Sequence, residues 1–164
     1  MSNPRAILIG GQWVHTKETM AVINPYDDSV AAEVSRAGAE EAERALAIAS
    51  AATAMMAALP SHRKSAILNA AADLILKRKE EIARTIATES GKPVRDARVE
   101  ADRGALTFRI AAEEASRIGG EVIPLDRNAI SERRWGLTRR FPIGPVMAIS
   151  PFNFPLNLVA HKVA

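Results

Sequence analysis

Four prolines and a glycine punctuate residues 142–155 within the run FPIGPVMAISPFNFPLNLVAHKVA (141–164). A proline fixes its own φ and removes an N–H donor, so each one marks the edge of an element. Pro142, Gly144 and Pro145 read as a turn. The apolar run Val146-Met147-Ala148-Ile149 is short and bounded by turn residues, which predicts a buried strand over 145–150. Pro151 and Pro155 bracket Phe152-Asn153-Phe154 as a tight loop, 151–154. A helix is expected to begin near Pro155, because proline is well tolerated in a first helical turn. Leu156, Val159, Ala160 and Val163 would supply its apolar face.

Strand, loop and helix in that order put Asn153 at the carboxyl end of a strand, where open α/β sheets bind ligands. Its carboxamide is a neutral donor able to stabilise negative charge on a carbonyl oxygen. Asparagine also commonly satisfies local backbone groups in turns. On the chemistry alone both readings stand.

Upstream, Ala6-Ile7-Leu8-Ile9, Gly10-Gly11 and Gln12-Trp13-Val14 read as a β-hairpin with a glycine turn. Ala21–Ile23 and Val30–Ser35 are further short strands, separated by Asn24-Pro25 and a polar turn. From Ala39 to Leu59 the spacing is helical, with Ala42, Ala45, Leu46, Ala49, Thr53 and Met56 on one face. Glu40, Glu41 and Glu43 open that helix, where its dipole favours them. Met55-Met56 reads as core filling. Pro60 ends this helix, and Ser61 caps a second whose buried face is Ile67, Ala71, Leu74 and Ile75. A third runs from Lys79 to Ser90 and stops at Gly91. A fourth runs from Val94 to about Ile118, with Ala97, Ala101, Ala105, Phe108, Ala112, Ala115 and Ile118 inward. Glu121 to Asp126 is an extended connection, and 132–141 is rich in strand formers.

Glu89-Ser90-Gly91-Lys92-Pro93 is a helix stop. One glycine cannot build a cradle of backbone amides for phosphate, and no Ser or Thr follows the lysine to bind magnesium. The chain has 164 residues and no cysteine, which excludes disulfides and thiolate metal sites. His15, His62 and His161 have no ligand spacing, so no catalytic metal is expected. Residues 1–60 carry four basic and seven acidic side chains, and 61–140 carry seventeen and twelve. Arg127, Arg133, Arg134, Arg139 and Arg140 cluster with Asp126 and Glu132 but without an aromatic platform. That favours a strand edge or subunit interface over nucleic acid. No apolar run reaches the length of a membrane span and no signal-peptide core opens the chain, so a cytoplasmic protein is the default.

Pro142, Gly144, Pro145, Ile149, Pro151, Phe152, Asn153, Phe154, Pro155 and Lys162 together resemble a signature of the aldehyde dehydrogenase superfamily. Glu89-Ser90-Gly91-Lys92-Pro93 resembles that family's E-x-G-K-P element, and Glu100 falls where it usually carries an acidic residue. An ion-paired or solvated role is expected for Glu100 rather than catalysis. The resemblance implies an α/β fold: 1–126 as N-terminal strands and alanine-rich helices of a cofactor-binding domain, 127–141 as oligomerisation strands, and 142–164 as its first parallel strand, loop and helix start. Strands near 131–141 would join a neighbouring subunit, making a homo-oligomer, with Trp135 suited to such an interface.

Members of that family oxidise an aldehyde with NAD or NADP, through attack of a cysteine thiolate on the carbonyl. The resemblance makes Asn153 the side-chain half of the oxyanion hole. Ser150, Pro151 and Phe152 would join it in lining the cofactor. Phe154, Leu158 and His161 would face the aldehyde, and Lys162 would stand near the proton-relay groups or, alternatively, snorkel at the surface. The family's cysteine loop, glutamate base and glycine-containing cofactor loop are not in these 164 residues. The expectation is therefore a fragment, inactive alone because no thiol is present. A non-catalytic assembly or regulatory module is the alternative. PFNFPLN with AHKVA, rather than PWNFP with AWK, looks more like semialdehyde, lactaldehyde or phosphorylated-aldehyde members.

Overall fold

The structure, a computed structural model, describes residues 3–164. The glycine hairpin forms as β1 (Ile7–Ile9) and β2 (Gln12–Val14), antiparallel, with Ile7 opposite Val14. Gly10 and Gly11 take φ of 58° and 79°, the left-handed pair that a two-residue hairpin turn requires. The two short strands expected next form as β3 (Thr19–Ile23), two residues longer than expected, and β4 (Val30–Ser35), paired antiparallel. The Asn24 side chain accepts the Tyr26 N–H and Asp27 accepts the Ser29 N–H, fixing the turn between them.

Four helices follow: α1 (Ala39–Ala58), α2 (Ser61–Lys77), α3 (Lys79–Ser90) and α4 (Val94–Glu114). Their bounds agree closely with the sequence, but Ser61, expected to cap α2, is its first helical residue with Pro60 at the cap and no side-chain cap bond, and α4 ends four residues early, in a turn over 115–117. The core lies where α4 meets α2 and α3. Ala72, Ala83, Ala97 and Ala101 are completely buried, and Ile82 and Leu156 pack on the Ala83–Ile86–Ala97 cluster. Alanine at the contacts lets the helix axes approach closely without losing helix propensity. Polar braces tie the same helices from outside. Arg98 binds Glu80 through two bonds of 2.8 and 2.9 Å, Lys79 reaches Asp102 at 2.6 Å, and Arg109 donates to Asn69 and Asp73.

Three expectations about buried faces fail here, each because the face depends on neighbours that periodicity does not show. α1 buries none of its residues, and Met55 and Met56, expected as core, are 67% and 51% exposed. Beyond a contact with β1, where Ile48 meets Gly10, little of the described chain covers it. In α2 the face toward α4 runs through Ala72, Asn69 and Ile75, so Ile67 and Leu74 are turned outward. Ile118 lies past the end of α4 and is exposed, while Ala97, Ala101, Ala105 and Ala112 are inward as expected.

β5 (Val122–Pro124) pairs antiparallel with β6 (Trp135–Leu137), enclosing a 3-10 turn over Ala129–Ser131. Gly120 passes beneath the Thr138 carbonyl so closely that a Cβ would overlap it. The apolar side chains Trp135 and Leu137 stand outward on this hairpin. The run 145–150, expected as a buried strand, forms no ladder, and Val146, Met147 and Ile149 are exposed. A strand needs a neighbour to accept its N–H and C=O groups, and no described strand pairs with it. The short helix α5 (Asn157–Val163) closes the chain, two residues after the proline expected to start it. No single helix of the described residues is long and apolar enough to cross a membrane. α1 and α2 pass that test only as a pair bent by 118°.

Candidate functional site

α3 stops where glycine can take the left-handed turn: Gly91 has φ 69° and its N–H donates to the Ala87 carbonyl. A Cβ on Gly91 would lie 2.9 Å from Cγ of Pro25, so the corner is closed to larger residues twice over. Lys92 and Pro93 then lead into α4. This corner points Lys92 along α4 toward Glu100, the largest fully buried side chain of the described residues at 1% exposure. Lys92 Nζ donates to Glu100 Oε2. The other oxygen of Glu100 accepts the backbone N–H groups of Leu156, at 2.9 Å, and Asn157, at 3.3 Å. The carboxylate therefore meets donors on both oxygens, which is how a buried charge is made tolerable.

Those two amides are the first of α5, so Glu100 stands in for the side-chain cap that Leu156 cannot provide. Lys92 Nζ also donates to the Asn153 carbonyl at 3.0 Å and lies 4.0 Å from the Phe154 ring centroid. The Arg103 guanidinium approaches the same ring at 5.5 Å. Thr107 Oγ1 donates to Oδ1 of the buried Asn157. At Gly104 an added Cβ would come within 3.0 Å of Leu156, so α4 and α5 touch nearly backbone to side chain. The loop 152–156 is thus fastened to α4 by its backbone.

Between this loop and the α3–α4 corner lies an open cleft of about 680 Å³. Lys92, Pro93, Val99, Glu100 and Arg103 line one side, and Phe152, Asn153 and Phe154 the other. Asn153 is exposed there. Its carbonyl is taken by Lys92, while its carboxamide bonds no described residue. The side chain makes none of the local backbone bonds expected of an asparagine that satisfies its own turn. Ser90, also on the cleft, spends its hydroxyl on the Ile86 carbonyl at 2.6 Å.

Of the residues expected at a site, Phe152, Asn153 and Phe154 come together on the cleft. Ser150 and Leu158 meet beside it, the Ser150 hydroxyl facing the Leu158 carbonyl at 3.5 Å. Pro151 is exposed on the strap leading in. His161 and Lys162 are exposed in the last turn of α5 and do not line the cleft. Sequence reasoning treated Lys92 as part of a helix stop and passed over Asn157 and Arg103. Of the two roles expected for Glu100, ion-paired or solvated, the structure shows the ion pair and, at 1% exposure, rules out the solvated one. The nearest signal was the acidic side chain on the otherwise alanine-lined inner face of α4. No group of three or more His, Asp or Glu that could hold a metal ion occurs among the described residues.

A profile described as the aldehyde dehydrogenase family matches residues 13–164. A 3-sulfolactaldehyde dehydrogenase of Priestia aryabhattai is 43% identical over 157 residues, covering 96% of this chain and 32% of the relative. A lactaldehyde dehydrogenase of Methanocaldococcus jannaschii is 42% identical over 158 residues, 96% of this chain and 33% of its own. Among solved structures, aldehyde dehydrogenase 21 of Physcomitrella patens, in complex with the reaction product succinate, superposes with a TM-score of 0.93. It is 43% identical, over 99% of this chain and 34% of that one. An NADP-dependent glyceraldehyde-3-phosphate dehydrogenase of Bacillus halodurans, complexed with NADP, gives 0.92 at 35% identity, over 99% of this chain and 35% of that one. The chain spans about a third of the length of the relatives it matches. With the profile running from the second strand through the last helix, the chain belongs to the aldehyde dehydrogenase family.

Proposed function

We propose that these residues supply one wall of the active site of an NAD(P)-dependent aldehyde dehydrogenase, with Asn153 as the donor to the aldehyde oxygen. The free carboxamide on the cleft carries this reading. When a cysteine thiolate adds to an aldehyde carbon, the carbonyl π pair moves onto oxygen, giving a tetrahedral thiohemiacetal oxyanion. A neutral N–H donor held in place stabilises that charge without first having to reorganise. The nicotinamide cofactor supplies the hydride acceptor when bound. The carboxylic acid then follows from hydrolysis of the thioester.

Ser150, Pro151, Phe152 and the backbone of Asn153 fit the sugar and nicotinamide end of such a cofactor. They form an extended strap with Pro151 and Phe152 open to solvent, Phe152 at 90% exposure. They do not fit its pyrophosphate, because Glu100 already occupies the first amides of α5. A pyrophosphate seat belongs to other residues. Phe154 and Leu158 stand on the substrate side of this reading, and His161 and Lys162 reach it only from the far end of α5. The names of the relatives, sulfolactaldehyde, lactaldehyde and succinate-semialdehyde dehydrogenases, favour a small aldehyde carrying a hydroxyl or anionic group.

No cysteine occurs in the 164 residues, so the chain alone lacks the nucleophile. The test is hydride transfer to NAD or NADP from lactaldehyde and from succinate semialdehyde. The purified chain is expected to give none. Fused to the remaining two thirds or so of the Methanocaldococcus relative, it is expected to turn over. Turnover by the chain alone would overturn the proposal.

A further inference from the structure

The chemistry proposed above uses neither Lys92 nor Glu100, yet this pair is the most deeply buried charge in the described structure, with side chains 16% and 1% exposed. An ion pair so placed adds little net stability, because desolvation offsets most of the attraction. Contacts of α3 with α4 do not run through it alone, since Ala83, Ile86 and Ala97 pack together and Arg98–Glu80 and Lys79–Asp102 join the two helices outside. What distinguishes the buried pair is its partners. Lys92 holds the Asn153 carbonyl and lies over Phe154, and Glu100 holds the N–H groups of Leu156 and Asn157. All four belong to the segment 153–157, which joins the cleft at Asn153 to the core at Leu156.

The Asn153 carboxamide makes no hydrogen bond to a described residue that would aim it. Its side chain springs from a backbone whose carbonyl is the group Lys92 grips, so that grip fixes the point from which the carboxamide reaches the cleft. A donor to a developing oxyanion must lie within a few tenths of an ångström of its working position. We infer that Lys92 and Glu100 are positioning residues for Asn153: Glu100 fixes the start of α5, and Lys92 bridges that anchor to the Asn153 carbonyl, holding the carboxamide toward the cleft. This rests on the reading of Asn153 as the carbonyl-oxygen donor.

The first measurement uses the 164-residue chain itself, with amide hydrogen exchange followed residue by residue. Lys92→Met keeps the apolar stem over Phe154 and removes only the donor. It should speed exchange at Leu156 and Asn157 by roughly tenfold or more, with amides of α2 and α4 unchanged. Lys92→Arg, which keeps a donor for both partners, should restore most of the protection. Should Lys92→Met unfold the chain by leaving Glu100 unpaired, the double variant K92M/E100Q removes that charge and is read in the same way. Unchanged exchange at Leu156 and Asn157 in the variant that folds would overturn the inference.

The second measurement is a double-mutant cycle on turnover in the fused enzyme. If Lys92 acts through Asn153, K92M lowers kcat with KM little changed, and K92M/N153A is no slower than N153A. Additive losses, or a loss confined to KM, would contradict positioning. The two ideas fail separately. An N153A variant that turns over normally sinks the donor reading and leaves the exchange result standing, because the loop is held by the carbonyl that N153A retains.

Discussion

Replacing Glu100 by alanine tests the packing account where its magnitude is largest. The side chain is 1% exposed and receives three donors, from Lys92, Leu156 and Asn157. Removing one member of a buried ion pair costs about 3–5 kcal/mol, since the remaining charge stays out of water. Lys92, at 16% exposure, can turn partly toward solvent and recover some of that. The amides of half-buried Leu156 and buried Asn157 lose their acceptor and add to the loss. A net cost of about 4 kcal/mol follows, a large share of the roughly 5–15 kcal/mol that holds a domain folded. For a chain of this size each kcal/mol moves the thermal midpoint by about 2–4 °C, so E100A should melt roughly 8–16 °C below the parent. Circular dichroism in the helical band follows it directly. Glu80→Ala is the control, because it breaks an exposed pair and should barely move the midpoint. An E100A midpoint as little displaced as that of E80A would refute the assignment of Glu100 as the anchor of α5.

Gly91→Ala should lose about 1–2 kcal/mol in urea unfolding, from its left-handed φ of 69° and the 2.9 Å approach to Pro25. An unchanged midpoint would show that this corner is looser than it looks. The Arg98 side chain hydrogen-bonds Glu80 and holds its carboxyl below the ordinary value of 4.5, and Arg78 does the same for Glu81. A lowered carboxyl contributes fully above its unfolded value and loses that contribution as pH falls through the folded value. Acid should therefore loosen the α3 braces below about pH 4.5, and Glu80→Gln should flatten that part of the stability profile, small because the pair is exposed. We propose that the β5–β6 hairpin mediates self-association, given Trp135 and Leu137 at 64% and 67% exposure. In sedimentation, W135E/L137E should abolish any oligomer without changing helix content, and an unchanged oligomer would assign the interface elsewhere.

Local rules were enough to read most elements from the sequence. Gly10-Gly11, Pro60, Gly91 and the alanine-rich periodicity act within a few residues, and the hairpin and helices stand where they point. Which face of a helix is buried depends on neighbours distant in sequence, and there the reading slipped. α1 is periodic, but little of the described chain covers it. α2 is rotated toward the Asn69–Arg109 contact. The 145–150 run has the composition of a strand and lacks a ladder partner, which no local pattern can supply. The prolines on either side mark Asn153 as a loop residue in the sequence, and its role there is read only from the family resemblance. Lys92 was not legible, because its partners Glu100 and Asn153 lie 8 and 61 residues away and only the α3–α4 corner brings them together. Asn157, a polar side chain among apolar neighbours, reads as surface until Thr107 is seen to meet it.

The account turns on the free carboxamide of residue 153. Its most direct test compares N153A with the parent in the fused enzyme, measuring kcat and KM for the same aldehyde. The account expects kcat to fall by about a hundred- to a thousandfold with KM little altered, as loss of one oxyanion donor entails. A kcat within about twofold of the parent would mean that the aldehyde oxygen is held by something else.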